Sequence, residues 1–543
     1  MIYMLTQLVK YLLILFFGIY TLNGFLLLKR DLSPERAIRL YRNQTACMFA
    51  FHLAAHVAIF AVQQELRLWF LYAAEVALIL VVFLIYRVIY RYAERLIINH
   101  MCMLMLFGFT VLARLDFSQA LRQVEIAGIA VVISIFVPQL VVKMTFLKKF
   151  TWVYAVIGIL ALAAVLVISR TTYGAHITFS VAGITFQPSE FIKLIFVFYV
   201  ACMFNASTSF KQILITTVVA ALHVGILVLS TDLGAALIFF VVYIIMLYVA
   251  TRKGIYLAAG LGIGAGAGLA ASRLFSHVRT RIDAWRNPFA NYQGGGYQVA
   301  QAMFAIGTGG WLGSGLGQGM PKTIPLAESD FIFATISEEF GGIIAICLIL
   351  VCLSCFVIII NVAMSIRDSF YKLIAIGFAC VYGIQVFLNI GGVIKCIPST
   401  GLTLPFVSYG GSSIFCTIIM FAIIQGLYII RSKEGESHGV RVGQKKEPLA
   451  GANAHRIEGS RPEERRSAQS VRRTQPDTAG QRADRVAKPV SGSSDRMAQR
   501  GAGGRNRLED PARRQQTQQP QRRRPERPGR QNRQRREYDE ERW

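Results

Sequence analysis

Apolar runs of bilayer-spanning length recur from the first residues of this chain to about position 430, and polar residues gather in the gaps. We read about thirteen runs, at 5–28, 46–63, 68–86, 99–114, 124–142, 150–169, 189–205, 212–230, 233–250, 254–271, 331–363, 371–394 and 408–430. Lys and Arg in the short gaps set an orientation. Lys29, Arg30, Arg36, Arg39 and Arg42 follow the first run, and Arg87, Arg91 and Arg95 the third. Lys143, Lys148 and Lys149 follow the fifth, Arg252 and Lys253 the ninth, and Arg367 and Lys372 the eleventh. All fall on one side if the N-terminus is outside and the runs alternate. The pattern therefore predicts an all-α polytopic membrane protein with an outer N-terminus and a cytoplasmic C-terminus.

Three outer gaps carry the remaining information. In 170–188 the short runs HITFSV and ITF flank an Ala-Gly pair, which predicts a small β-hairpin. The segment 272–330 is the largest gap, and a loop of that length is usually functional. Its second half, from Tyr297, is glycine-rich and is read as a non-helical, flexible floor ending at Asp330, where the next apolar run begins. The third gap runs from Ile397 to Ser408 and leads into YGGSS.

Composition agrees with the pattern: 54% of the 543 residues are hydrophobic and only 16% charged. The nine cysteines lie almost entirely inside apolar runs, with no metal-type CxxC pair, and read as packing residues. The first run lacks a basic lead segment and a small-residue cleavage site, so it is expected to remain as a span. The net charge of +26 is uneven. Roughly half of the basic residues follow Arg431, in an Arg-, Gln-, Pro- and Gly-rich tail expected to be disordered and held near an anionic membrane surface. Aromatic residues are scarce there, which argues against a stacking mode of nucleic-acid binding.

Candidate chemistry is sparse. Asp330 is either a helix cap or a catalytic carboxylate facing the outer surface. Glu338 and Glu339 follow at membrane depth, where carboxylates face the bundle interior or a cavity. Glu190 and Lys193 share one helix face, as an internal ion pair or as a holder for an anionic substrate group. Asp232 reads better as a cap. Arg279, Arg281, Arg286, Lys322 and Lys395 are outer cations suited to a lipid phosphate or diphosphate. His52 and His56 stand four apart on one helix and Glu75 lies in the next run. Such a histidine pair can bind metal, but with no third ligand placed by the sequence it reads better as a polar contact between helices. GTGG and GLGQG lack the strand, helix and Lys-Ser/Thr context of a nucleotide loop.

Five motifs occur in a family order: QPSEFIK (187–193), TDLG (231–234), GYQVAQAMFAIGTGGWLGSGLGQG (296–319), ESDFIFATISEEFG (328–341) and TGLTLPFVSYGGSS (400–413). Together they resemble the SEDS family of shape, elongation, division and sporulation proteins, the FtsW/RodA/SpoVE group. The resemblance covers about residues 97–431 and implies ten core spans. It leaves 1–96 as an added three-helix membrane module and 432–543 as the tail. Thr231, Leu326 and Glu328 depart from residues common in the family at those places.

The resemblance implies a peptidoglycan glycosyltransferase that polymerises lipid II at the outer face of the cytoplasmic membrane. Its implied partners are a class B penicillin-binding protein, membrane lipids and other division or elongation proteins, without nucleic acid. Asp330 takes the position of the family's essential loop aspartate, and Glu190 and Lys193 that of the polar pair lining the central cavity. Arg281, Gln298, Ser408, Tyr409 and Ser412 are further substrate-binding candidates, while Asp232, Glu338 and Glu339 are structural or secondary. A carboxylate can take the attacking hydroxyl's proton, and the lipid diphosphate leaving group calls for cations or a divalent ion such as magnesium or manganese. A precursor flippase and a non-enzymatic scaffold are the competing classes.

Overall fold

The apolar runs fold as helices, in the order the hydropathy pattern lays out. The computed structural model describes residues 2–444, apart from 30, 144, 169, 173–174 and 182–183; most of the tail lies outside the described residues. The first helices are α1 (Ile2–Leu27), α2 (Pro34–Gln63), α3 (Arg67–Val88), α4 (Arg95–Leu115), α5 (Phe117–Ser134), α6 (Val137–Lys143) and α7 (Thr151–Ile168). Strands β1 (Arg170–Thr172), β2 (Ala175–Val181) and β3 (Ile184–Phe186) follow. The remaining helices are α8 (Pro188–Ala206), α9 (Phe210–Leu229), α10 (Leu233–Thr251), α11 (Gly254–Leu274), α12 (Ser276–Arg286), α13 (Tyr297–Gly309), α14 (Ile332–Ser365), α15 (Ser369–Val393) and α16 (Gly411–Gln444).

Among the described residues twelve spans are long and apolar enough to cross a membrane, with α5 and α6 joined as one. The remaining expected span is α7, also apolar but shorter. The expected hairpin is present as antiparallel β2 and β3, with Phe179 opposite Phe186 and Val181 opposite Ile184; β1 adds a third strand on β2.

The segment 272–330 departs from the sequence reading. Two helices, α12 and α13, occupy much of it, so Tyr297–Gly309 is not part of a non-helical floor. Val299, Ala300, Ala302 and Ala305 place a narrow buried stripe along α13, and small side chains let it lie close against α14.

The core is centred on α4, whose whole apolar window is buried, with Leu104, Met105, Leu106 and Phe107 fully enclosed. By contrast α11, with glycine or alanine at most of its central positions, buries only Gly260 and leaves its surface for lipid. Polar residues start the helices where the chain turns. Asp116 accepts from Ser118 N and Gln119 N, Ser209 from Gln212 N and Asp368 from Phe370 N.

The N-terminal helices are tied to the core by buried polar pairs. The Tyr20 hydroxyl meets His100 Nδ1 at 2.9 Å, whose other ring nitrogen meets Ser354 Oγ at 2.9 Å. Asn99 donates to Gln44 Oε1 at 2.8 Å, and Gln63 to the Arg114 carbonyl at 3.0 Å. In an apolar medium such pairs fix register, because a slipped helix would strand the polar atoms.

Candidate functional site

The segment 397–410 is the point on which the sequence candidates converge. Its backbone carbonyls are acceptors for three elements. Arg281 Nη1, on α12, donates to Ser399 O at 3.2 Å. Asn389, on α15, donates to Leu402 O at 2.6 Å, and Gln385, one turn earlier, to Thr403 O at 3.1 Å. Ser408 closes the segment: its hydroxyl donates to Ser329 O at 2.6 Å and accepts from Leu404 N at 2.8 Å. Gln123 of α5 donates to Ser408 O and accepts from Gly410 N. Tyr409 N donates to Glu328 O at 2.8 Å. Ser408 and Tyr409 thus fasten this segment to the one carrying Asp330.

Asp330 is partly buried, and its carboxylate is not a helix cap. A turn in which Ser329 N and Phe331 N both donate to Leu326 O, with Leu326 at φ 58°, passes the cap position to Phe331. The Asp330 backbone carbonyl accepts from Asn389 at 3.0 Å. The side chain faces Arg281 across Gly401. A Cβ on Gly401 would stand 3.4 Å from both Asp330 Oδ2 and Arg281 Nη2, and Gly401 has φ +73°. The left-handed backbone, and not a lack of space, is what favours glycine at this position. Burial pushes the Asp330 carboxyl up to about 6, with Arg281 pulling down and Glu328 pushing further up.

Lys193 is buried and already compensated. It bonds Glu190 Oε2 at 2.5 Å and Gln385 Oε1 at 2.8 Å. Since Gln385 also holds Thr403, which meets Ser413 Oγ at 2.8 Å, the Lys193–Glu190 pair is linked through Gln385 to the 397–410 segment. Ser412 Oγ accepts from Gln187 N at 2.9 Å, at the start of α8. Ser189 donates to Asp232 Oδ2 at 3.0 Å, and Asp232 caps α10 through Ala235 N at 3.1 Å, so the capping reading holds there. Gln298 lies apart from this set and donates to Pro325 O at 2.9 Å. Gln385, Asn389 and Gln123 were missed by sequence reasoning. Gln385 and Asn389, spaced i, i+4 in an apolar helix, carried a signal that could have found them.

The glycines at 309–319 are pinned, which corrects the expectation of a flexible floor. Ser314 N and Gly315 N donate to Glu338 O and Glu339 O at 2.9 and 3.0 Å. Beyond the kink at Gly341, φ 86°, Gly342 N and Ile343 N donate to Gly310 O and Trp311 O. The side chains complete the clamp: Glu338 Oε1 accepts from Met320 N, and Glu339 Oε2 from Gly317 N. Arg114 Nη2 lies 3.1 Å from Glu339 Oε1. Glu338 and Glu339 are structural here. A Cβ on Gly313, at φ +80°, would lie 2.4 Å from Glu339 O. We expect Gly313→Ala to cost at least about 2 kcal/mol in thermal unfolding, from strain plus a backbone clash. Gly307→Ala, whose Cβ would have open space, is the control.

The donor set at Asp330 does not build a cage for a resident metal. Among the described residues the only cluster of three metal-ligating groups is elsewhere, at His52, His56 and Glu75.

Fold and site together define a multi-pass membrane protein in which Asp330 and Arg281 stand together where inter-helix segments converge. Residues 94–433 match the family model described as a cell cycle protein, FtsW/RodA/SpoVE. The chain belongs to this family. It is 37% identical over 288 residues to peptidoglycan glycosyltransferase RodA of Mycobacterium tuberculosis strain H37Rv, which covers 49% of this chain and 59% of that protein. It is 32% identical over 321 residues to stage V sporulation protein E of Bacillus subtilis, covering 57% of this chain and 86% of the relative. A solved structure from a peptidoglycan synthase complex that coordinates polymerization and crosslinking shares the fold, with TM-score 0.54 and 24% identity. It covers 62% of this chain and 98% of its own.

Proposed function

We propose that this protein is a peptidoglycan glycosyltransferase that polymerises lipid II into glycan strands at the outer face of the cytoplasmic membrane. The observation that carries the reading is Asp330: a partly buried carboxylate, free of capping duty, poised near pH 6 beside a guanidinium. Such a group can accept a proton at neutral pH, while the neighbouring cation suits the leaving group.

In the proposed reaction a sugar hydroxyl of one lipid II attacks the anomeric carbon of another. The new bond joins that oxygen to the anomeric carbon, and the bond from the anomeric carbon to the diphosphate oxygen breaks. Asp330 takes the hydroxyl proton, and the lipid diphosphate leaves with the electron pair. Arg281, exposed on α12, meets the diphosphate charge. The compensated Lys193 acts through Gln385 on the segment that positions Ser399 and Gly401. A divalent ion would have to take most of its ligands from the substrate, and no step here is routed through one. The reading places the N-terminus and the 272–330 segment outside, in line with the basic inner gaps. A class B penicillin-binding protein is the proposed partner for cross-linking.

The test is polymerisation of lipid II by the purified full chain, with and without a class B transpeptidase. Glycan strands that vanish in Asp330→Ala support the reading; strands formed at the wild-type rate by that variant, or none from wild type under either condition, sink it. The pH profile gives a second expectation. With Asp330 as base, kcat/KM rises as pH passes about 6. In Arg281→Ala the inflection moves to higher pH, since the guanidinium holds the carboxyl down. An inflection that stays in place in that variant would detach Asp330 from the profile.

A further inference from the structure

We propose that His52, His56 and Glu75 form a buried site for a divalent transition-metal ion, with zinc the best match, that cross-links α2 to α3. The site lies outside the segment matched by the family model and is independent of the proposed reaction. The sequence places no third ligand beside His52 and His56 and so favours a polar contact between helices. The fold brings Glu75 to them across two antiparallel helices.

The geometry suits coordination. His52 Nε2 and His56 Nε2 both approach the same oxygen, Glu75 Oε2, at 2.8 and 3.2 Å. One ligand atom from each of the three side chains lies within 4.8 Å of the others, and all three residues are buried. Ligand atoms around a tetrahedral ion with bonds of about 2.0–2.1 Å sit roughly 3.3 Å apart.

Proton accounting points the same way. His56 Nδ1 lies 3.2 Å from the His52 backbone carbonyl, which can only accept, so that nitrogen carries a proton. In a neutral ring Nε2 is then a bare lone pair, and it faces a carboxylate oxygen. Two lone pairs at 3.2 Å repel unless a cation sits between them. A ring N–H held by a backbone carbonyl is also the usual arrangement of a metal-bound histidine. His56 Nε2 and Glu75 Oε1 have no hydrogen-bond partner among the described residues. Glu75 Oε1 can therefore complete a set of two nitrogens and two oxygens. Tyr72 stacks on His52 with ring centroids 4.9 Å apart and walls the cluster. Two imidazoles and one carboxylate are a donor set that borderline divalent ions take.

The competing occupant of the gap is a second proton on His56, and the experiment separates the two. The full chain is purified in detergent, stripped with a chelator, and titrated with zinc chloride and, separately, cobalt chloride. We expect one zinc per chain, and a cobalt visible spectrum of a low-symmetry, nitrogen-containing site that zinc abolishes. His56→Gln and Glu75→Gln should each weaken zinc binding at least 10-fold. His223→Gln, which removes a buried histidine elsewhere, should leave the stoichiometry at one. Where a variant fails to fold, the wild-type cobalt spectrum decides alone. Stripped wild type that takes up neither ion, or zinc bound equally by His56→Gln and wild type, would overturn the site in favour of a protonated triad.

Discussion

An Asp330→Asn protein is expected to lose lipid II polymerisation by about 10²–10⁴-fold while folding and inserting as wild type. The change keeps shape and removes the negative charge, and with it the ability to take a proton. The contacts that hold the segment survive it, because Asn389 bonds the Asp330 backbone carbonyl and Ser408 bonds Ser329 O. Stability should not fall. A carboxyl whose folded value is raised to about 6 imposes a cost that is present above that pH and absent below the unfolded value near 4. Asparagine removes that cost, so near neutral pH thermal unfolding should be unchanged or slightly later. Arg281→Ala is expected to fall less far, since it touches the leaving-group side and leaves the base in place. Polymerisation assayed beside thermal unfolding checks both. An Asp330→Asn protein with wild-type turnover would remove the carboxylate from the chemistry. An inactive but unfolded one would show that the segment depends on the charge.

Much of this architecture was legible in the sequence, because the apolar runs are long and their gaps short. The shorter helices were not: α12 and α13 lie in a segment broken by glycine and polar residues, and α13 declares itself only by a narrow stripe of small side chains. Asp330 stood out by its motif, yet its environment did not. The cap reading is removed by the Leu326–Phe331 turn, which local preference at Ser329 or Asp330 does not foretell. Glu190 and Lys193 were read as a pair and are one. That they act through Gln385 on a segment more than 200 residues later depends on how α8 packs against α15. The glycines carried a misleading signal. Glycine-rich stretches suggest mobility, whereas here missing side chains let two backbones dock, and the paired glutamates accept the loop's N–H groups.

That clamp sets the second large effect. Arg114→Leu is expected to destabilise the protein by about 3–5 kcal/mol, because it leaves the Glu339 carboxylate buried without its cation. Glu339 is only 1% exposed, so little water can replace the guanidinium. The damage should spread to the 310–320 loop, since the other Glu339 oxygen holds Gly317 N. That loop should become a preferred site of limited proteolysis in the variant. Adding Glu339→Gln should recover a large part of the loss, because a neutral amide needs no counter-charge and its oxygen can still accept from Gly317 N. Thermal unfolding of the two single variants and the double variant closes the cycle. If Arg114→Leu and Glu339→Gln proved additive, with no recovery in the double variant, the ion pair would not be what holds this loop to α14.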